Sequence, residues 1–163
     1  VVAAVSDSSH KESNMDVAVD RLMTLKVKDV MTRKVICVTD NQHLSDAAGL
    51  FLEKGISGAP VVDQDGRCVG VLSAIDYVRR AHSTRGADET DTAGEFVCGE
   101  MSPGVRSVQP EQTLLMAARI MCEKHVHRLP VLNLDGKPVG LITSMDVVAA
   151  LVNAIDEREA MTR

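Results

Sequence analysis

The chain has 163 residues, and its 23 Asp and Glu outnumber its 18 Lys and Arg to give a formal net charge of −5. This length suits one compact domain or two small repeats, and a hydrophobic fraction of 45% predicts a folded chain. The acidic balance disfavours a surface that binds nucleic-acid duplexes, because such surfaces need clustered cations. An aromatic fraction of 2% with no Trp also disfavours the stacking of single-stranded bases.

The hydrophobic and cysteine patterns indicate a cytoplasmic protein. Apolar stretches such as Val35 to Val38 fall far short of the ~18 residues of a membrane span, so no membrane partner is predicted. The opening run from Val1 to Val5 is too short for a signal peptide. No Cys-x-x-Cys pair is present, which predicts free thiols in the core and a reducing compartment. The four cysteines are Cys37, Cys68, Cys98 and Cys122.

Two copies of one unit become visible when the sequence is shifted by 70 positions against itself. No gap is needed, and Asp76 falls on Asp146. Across the 48 aligned positions that begin at Met31 and Met101, 17 residues are identical. The match predicts an internal duplication.

Each copy has the pattern of a strand, a helix, a hairpin of two strands and a second helix. The opening strands are predicted at 35–38 and 105–108. Apolar residues then recur at helical spacing, and an Asp-Gly pair further on indicates the hairpin. The second helix is predicted to follow Ser73 in one copy and Thr143 in the other. Its predicted inner face consists of Ile75 and Val78, or of Met145, Val148, Ala149 and Val152.

The predicted fold class is α/β, with two β-α-β-β-α repeats packed as a pseudo-twofold pair. A three-stranded sheet with helices on one side leaves its other face uncovered, so the copies are expected to pack together. A polar, Gly-containing segment between them suits a linker. The predicted boundaries are an N-terminal tail and lead-in helix over 1–25, the first repeat over 26–80, the linker over 81–95, the second repeat over 96–155 and a C-terminal tail over 156–163.

Both copies carry the same three motifs. The first copy has Val30-Met31-Thr32, Ala59-Pro60-Val61-Val62-Asp63 and Gly70-Val71-Leu72-Ser73-Ala74-Ile75-Asp76. The second copy has Glu100-Met101-Ser102, His127-Arg128-Leu129-Pro130-Val131 and Gly140-Leu141-Ile142-Thr143-Ser144-Met145-Asp146. These motifs strongly resemble the cystathionine beta-synthase domain, or CBS domain. A tandem CBS pair, or Bateman module, is a regulatory unit and not an enzyme, and the resemblance implies binding of AMP, ADP, ATP or S-adenosylmethionine in the cleft between the copies.

A hydroxyl and a carboxylate stand three residues apart at each second helix, as Ser73 with Asp76 and as Thr143 with Asp146. This spacing is typical of a capping box. A helix start also favours an anion, and a carboxylate there can accept both hydroxyls of a ribose, so capping and binding are compatible. The resemblance implies a ribose role for the two carboxylates and a phosphate or ribose role for the two hydroxyls.

The copies differ just before their shared proline. The second copy has His127 and Arg128 there, whereas the first has Ser57 and Gly58. Only the second can place positive charge on a phosphate, so the ligand is expected to depend more on that copy. The alternative is that Arg128 is a solvated surface residue and His127 an ordinary loop histidine.

An apolar slot for adenine is expected from the first strand and from the residues before the proline, with backbone groups reading the edge of the base. The candidate lining residues are Ile36, Val38, Ala59, Val108, Val126 and Leu129. His125 and His127 lack a third ligand at a familiar spacing, so no metal site is predicted. The sequence contains no nucleophile-elbow motif and no phosphate-loop motif, so catalysis is not predicted.

The motifs and the resemblance to the CBS family together imply a stand-alone regulatory module that binds an adenosine ligand, requires no cofactor and forms a homodimer. One alternative is an interaction scaffold without a sensor. Its dimer surface would include Leu50, Phe51, Ile120 and Met121. A second alternative is the regulatory fragment of a larger enzyme or transporter, because the chain begins at Val1 instead of Met.

Overall fold

The computed structural model describes residue 20 and residues 23–83 and 95–161. The helices are α1 (Val27–Val30), α2 (Leu44–Lys54), α3 (Ala74–Ser83), α4 (Val97–Glu100), α5 (Leu114–Lys124) and α6 (Ser144–Met161). The strands are β1 (Val38–Thr39), β2 (Gly58–Val62), β3 (Cys68–Ser73), β4 (Ser102–Pro103), β5 (Arg128–Leu132) and β6 (Pro138–Thr143). Most of the predicted linker and of the N-terminal tail lies outside the described residues. Helix α3 extends into the predicted linker, and α6 extends into the predicted C-terminal tail.

The internal duplication is present in the secondary structure. Helices α2 and α5, strands β2 and β5, and strands β3 and β6 each have equal lengths and begin 70 residues apart. The predicted hairpin is confirmed, because β2 pairs antiparallel with β3 and β5 pairs with β6. The mixed α/β class is therefore confirmed, with a strand, helix, hairpin and helix in the first copy.

The opening strands are shorter than predicted. Strand β1 is Val38–Thr39 and not 35–38, and the second copy has only an isolated parallel bridge between Val108 and Val131. The ladder there begins with the Val108 N–H, which donates to the carbonyl of Pro130 at 3.1 Å. The next bond upstream would need an N–H from that proline, and proline has none. The same position in the first copy is Pro60, so neither parallel ladder extends upstream of its proline.

The chain divides into two compact units, which we call the Asp76 unit and the Asp146 unit. The Asp76 unit consists of Arg33–Ser107 and Leu132–Gly140. The Asp146 unit consists of Val1–Thr32, Val108–Val131 and Leu141–Arg163. The Asp76 unit holds the four-stranded sheet, in the order β1-β2-β3-β4.

The two compact units do not coincide with the two sequence repeats. Each unit consists mainly of one repeat but contains the opening segment of the other repeat. In the Asp76 unit, the Val97 N–H of α4 donates to the Gln42 carbonyl at 2.9 Å. In the Asp146 unit, the Val27 N–H of α1 donates to the Gln112 carbonyl, also at 2.9 Å. The two hydrogen bonds join equivalent positions, so the exchange of opening segments follows the 70-residue repeat.

Gly70 allows the exchanged segment to pack closely on the sheet of the Asp76 unit. Strand β4 pairs antiparallel with β3, with Gly70 opposite Pro103. A Cβ at Gly70 would lie 2.6 Å from Sδ of Met101 and 3.0 Å from the Ser102 carbonyl oxygen. A side chain here would therefore force the Met101 side chain to move and would press against the backbone of β4.

The two units have equivalent cores. The core of the Asp76 unit consists of Val38, Leu44, Ala47, Phe51, Ala59, Val61, Leu72 and Val97. Every one of these residues has a buried apolar counterpart 70 positions away in the Asp146 unit. These counterparts are Val108, Leu114, Ala117, Met121, Leu129, Val131, Ile142 and Val27. The repeat thus preserves burial even where the residue type changes.

The predicted inner face of the second helices is wrong. The residues assigned to it are exposed, at 53% for Ile75, 60% for Val78, 69% for Met145, 48% for Val148 and 47% for Val152, and Ala149 is exposed as well. The buried side of α6 instead carries small residues, Ala150 and Ala154. Because every residue of this helix from 147 to 152 is apolar, periodicity alone does not distinguish its two sides.

The proposed scaffold surface is also wrong in part. Phe51 and Met121 are only 6% and 5% exposed, because they belong to the cores of their units. Their side chains are therefore not accessible to a partner. Leu50 and Ile120 are half-buried.

Helices α2 and α5 end in the same left-handed turn, which is formed by different residues. The cap residue is Gly55 (φ 63°) in the first copy and His125 (φ 52°) in the second. Glycine adopts this conformation freely, whereas a Cβ makes it costly. His125 thus ends α5 in a conformation that glycine adopts at lower cost.

We expect His125→Gly to stabilise the protein by up to about 1 kcal/mol, because it removes the steric cost of the left-handed conformation at an exposed site. The matched variant Gly55→Ala should destabilise it by about 1 kcal/mol. Urea titration of the free energy of unfolding tests both changes. Destabilisation by His125→Gly would contradict this account of the cap.

Candidate functional site

Each candidate site forms where a strand of the hairpin runs directly into a helix. Helix α3 begins after Ser73, and α6 begins after Thr143. The first N–H of α6, from Ser144, donates to the His127 carbonyl at 3.0 Å. In the Asp76 unit, the Ala74 N–H likewise donates to the Ser57 carbonyl at 3.0 Å. The backbone before each shared proline therefore lies against a helix start.

In the Asp146 unit, Thr143 holds one oxygen of the carboxylate. Oδ2 of Asp146 accepts from the Thr143 N–H and from the Thr143 hydroxyl, both at 2.7 Å. The Asp146 N–H returns a bond to that hydroxyl at 3.3 Å, which completes a capping box. Oδ1 of Asp146 accepts no hydrogen bond from any residue that the structure describes. The carboxylate is thus held in place with one oxygen available.

In the Asp76 unit, both oxygens of the carboxylate are occupied. Oδ2 of Asp76 accepts from the N–H and the hydroxyl of Ser73, both at 2.7 Å. Oδ1 accepts from Nη1 of Arg79 at 2.9 Å and from the Ser102 hydroxyl at 3.3 Å. Asp76 is only 2% exposed, whereas Asp146 is half-buried. The sequence motif is the same in both copies, but the state of the carboxylate is not.

The residues before the two prolines differ in charge and in exposure. In the Asp146 unit His127 is exposed and Arg128 is half-buried. In the Asp76 unit Ser57 is exposed and Gly58 is buried. A basic pair of residues therefore precedes the shared proline in the Asp146 unit but not in the Asp76 unit.

The candidates for the adenine slot fall into two groups. Ile36 and Val126 are half-buried, so their side chains have surface that a base could cover. The other four candidates are 0–1% exposed, so they have almost no surface that a ligand could contact in this conformation. They are Val38, Ala59, Val108 and Leu129. The adenine role of all six remains a prediction.

Sequence reasoning missed Arg79 and Ser102 as neighbours of the candidate site. Ser102 opens the second repeat yet lies opposite Val71 in the sheet of the Asp76 unit. Its counterpart Thr32 exchanges two hydrogen bonds of 2.9 Å with Leu141 in the Asp146 unit. The alignment of Thr32 with Ser102 was visible in the sequence, but nothing in it indicated the exchange of segments.

The four cysteines are free thiols, but they are not all core residues. Cys37 and Cys68 are half-buried, whereas Cys98 and Cys122 are exposed, which corrects the prediction for the last two. Burial raises the pKa of the Cys37 thiol and raises the pKa of the Cys68 thiol to about 11. Burial therefore favours the neutral thiol form of both residues. No group of three metal-ligating side chains occurs within the described ranges.

Removal of the two carboxylates should destabilise the protein unequally. Asp76→Ala leaves four donors without their acceptor and should cost about 2–3 kcal/mol, whereas Asp146→Ala loses a helix cap and should cost about 1 kcal/mol. Urea titration without ligand measures both losses of unfolding free energy. Equal losses would contradict the difference between the two carboxylates.

A family profile described as "CBS domain" matches residues 27–83 and 93–153. Among curated relatives, the protein MJ1232 of Methanocaldococcus jannaschii is 32% identical over 152 residues, which cover 93% of this chain and 48% of that protein. The chain thus spans about half the length of this relative. Every helix in the described part of the chain is too short or too polar to cross a membrane.

The solved structures that are similar to this chain include two CBS-domain proteins with bound ligands. The crystal structure of CBSX2 in complex with AMP has a TM-score of 0.72 and 32% identity, and the match covers 79% of this chain and 97% of that one. CBSX2 is a protein of Arabidopsis thaliana. The CBS domain pair of MJ0100, in complex with 5′-methylthioadenosine and S-adenosyl-L-methionine, has a TM-score of 0.69 and 20% identity, covers 80% of this chain and 98% of that one, and supports the fold alone. The duplicated sequence, the paired helix starts and the two matched ranges show that this chain belongs to the CBS domain family and carries the domain twice in tandem.

Proposed function

We propose that this chain is a regulatory module that binds an adenosine-containing ligand at Asp146 and is not itself an enzyme. The observation that carries the proposal is the Asp146 carboxylate, which Thr143 holds at a helix start while Oδ1 is available. A ribose diol donates hydrogen bonds, so it suits an oxygen that is fixed and unoccupied. Candidate ligands are AMP, ADP, ATP and S-adenosylmethionine.

Charge beside the helix start supports the choice of a nucleotide over a nucleoside. The carbonyl of His127 bonds the first N–H of α6, which brings Arg128 to the same end of the helix. A guanidinium matches the geometry of phosphate oxygens, and the positive end of the helix dipole adds to its field. The structure of CBSX2 with AMP, at 32% identity, supports the same ligand class.

Signalling and location follow as further parts of the proposal. A ligand shifts a conformational equilibrium only through different affinities for the two states, so occupancy must alter the affinity of the module for an output protein or for itself. The four free thiols favour a reducing compartment such as the cytoplasm.

Calorimetric titration with AMP and with adenosine tests the roles of Arg128 and Asp146. Arg128→Ala should lower the affinity for AMP by about one to two decades, the equivalent of roughly 1.5–3 kcal/mol. It should leave the affinity for adenosine almost unchanged, because adenosine has no phosphate. Asp146→Ala should weaken both ligands, since both carry the ribose diol. GMP and CMP should bind more weakly than AMP to the wild-type protein.

The exposed Arg119 provides a control, because Arg119→Ala removes the same charge at a residue of helix α5 that is not among the candidate site residues. It should leave both affinities unchanged. Equal losses of affinity for AMP and for adenosine in Arg128→Ala would exclude a role of Arg128 in phosphate binding. Unchanged binding by Asp146→Ala would leave that carboxylate with capping alone.

A second candidate function, self-association, is supported by the outer face of α6. Met145, Val148, Val152 and Ile155 are 44–69% exposed and follow one another at spacings of three, four and three residues. This spacing is the seam that pairs two helices. We propose that a second copy of the chain covers this face in a twofold homodimer, in place of the surface predicted around Phe51 and Met121.

Sedimentation should detect a dimer that dissociates on dilution. Val148→Glu places a charge in the seam and should shift the protein to a monomer. Leu134→Glu adds the same charge in a hairpin turn, at a residue that is 92% exposed, and should leave the dimer intact. A wild-type monomer at every concentration, or equal dissociation by both variants, would contradict the proposed interface.

A further inference from the structure

The Asp76 carboxylate has no place for a ribose while its present contacts hold. An ionised carboxylate offers about four lone-pair sites. Asp76 accepts four hydrogen bonds, from the N–H and hydroxyl of Ser73, from Arg79 and from Ser102. A ribose hydroxyl must therefore displace one of these donors before it can bind.

Arg79 distinguishes the two carboxylates. Three of the four donors to Asp76 have a hydroxyl or N–H counterpart in the Asp146 unit, since Ser73 aligns with Thr143 and Ser102 with Thr32. The fourth donor, Arg79, aligns with Ala149, which carries no donor. Oδ1 of Asp76 accepts from Arg79 and from Ser102, whereas Oδ1 of Asp146 accepts nothing from the described residues, the Thr32 hydroxyl included.

We propose that Arg79 is the residue that assigns the ligand to one copy, because its guanidinium occupies the position on Asp76 that a ribose hydroxyl takes on Asp146. The inference rests on the proposed function and deepens it. A ligand binds first in the Asp146 unit, and it binds in the Asp76 unit only after Arg79 has moved away.

The exposure of Arg79 limits how strongly it excludes a ligand. Its side chain is 65% exposed, while the carboxylate that it contacts is 2% exposed. The guanidinium can turn into solvent, where water hydrates it, so its contact with Asp76 is weak for an ion pair. Arg79 therefore lowers the affinity of the Asp76 unit for the ligand without abolishing binding.

Reciprocal substitutions at the aligned positions test this assignment by calorimetric titration with AMP. The wild type should bind one AMP per chain tightly and a second at least about tenfold more weakly, a difference of 1.4 kcal/mol. Arg79→Ala should strengthen the second site by about that factor. Ala149→Arg places an arginine three residues after Asp146, as Arg79 stands to Asp76, and should weaken the first site by a similar factor.

Two further variants locate the sites and control for charge. Asp76→Asn in the Arg79→Ala background should remove the second site and spare the first. Arg119→Ala removes one exposed positive charge elsewhere and should bind as the wild type does. Two equal AMP sites in the wild type, or an unchanged second site in Arg79→Ala, would overturn the role of Arg79 and leave the Asp146 site standing. Absence of AMP binding from every variant would overturn the proposed function and this inference together.

Discussion

The bond between a strand end and the acidic residue three positions later is the contact on which both halves of the protein depend. Ser73 and Thr143 each give an N–H and a hydroxyl to one carboxylate oxygen at 2.7 Å. This pair of bonds fixes the turn from sheet to helix and orients the second oxygen. Local capping and the geometry of the proposed binding site are therefore one arrangement, and the residues around the second oxygen decide whether it serves only stability.

The exchange of opening segments determines what surrounds that oxygen. Strand β4 comes from the start of the second repeat, yet it brings the Ser102 hydroxyl to Asp76. The same segment is anchored by an ion pair of 2.8 Å between Arg80 and Glu100, both about three-quarters buried. A single repeat cut from this chain would thus lack one edge of its sheet and one donor to its own carboxylate. The tandem pair is the smallest complete unit.

Sequence reasoning was most successful where the signal was local and repeated. The duplication, the hairpins and the helix starts after Ser73 and Thr143 all followed from spacing, because backbone geometry ties these features to nearby residues. It failed for the outward side of α6, whose apolar residues lie all around the helix. It also failed for the contact of Ser102 with Asp76, since 26 residues separate them and the pairing arises only from the exchange of segments. Arg79 was visible as an i,i+3 neighbour, but a helical arginine in that position is usually a solvated residue.

The aromatic residues are confined to one half of the molecule. Within the Asp76 unit, the rings of Phe51 and Tyr77 meet edge to face, with their centroids 6.1 Å apart. The ring centroids of Phe96 and His43, in the same unit, are 4.6 Å apart. The Tyr77 hydroxyl donates to the Leu44 carbonyl at 2.9 Å, and burial together with the nearby Asp76 carboxylate raises the pKa of Tyr77. With one Tyr and no Trp in the chain, intrinsic fluorescence and near-ultraviolet dichroism originate almost entirely from this unit. The Asp146 unit is optically silent at these wavelengths, so a chromophore observed there would have to come from the ligand.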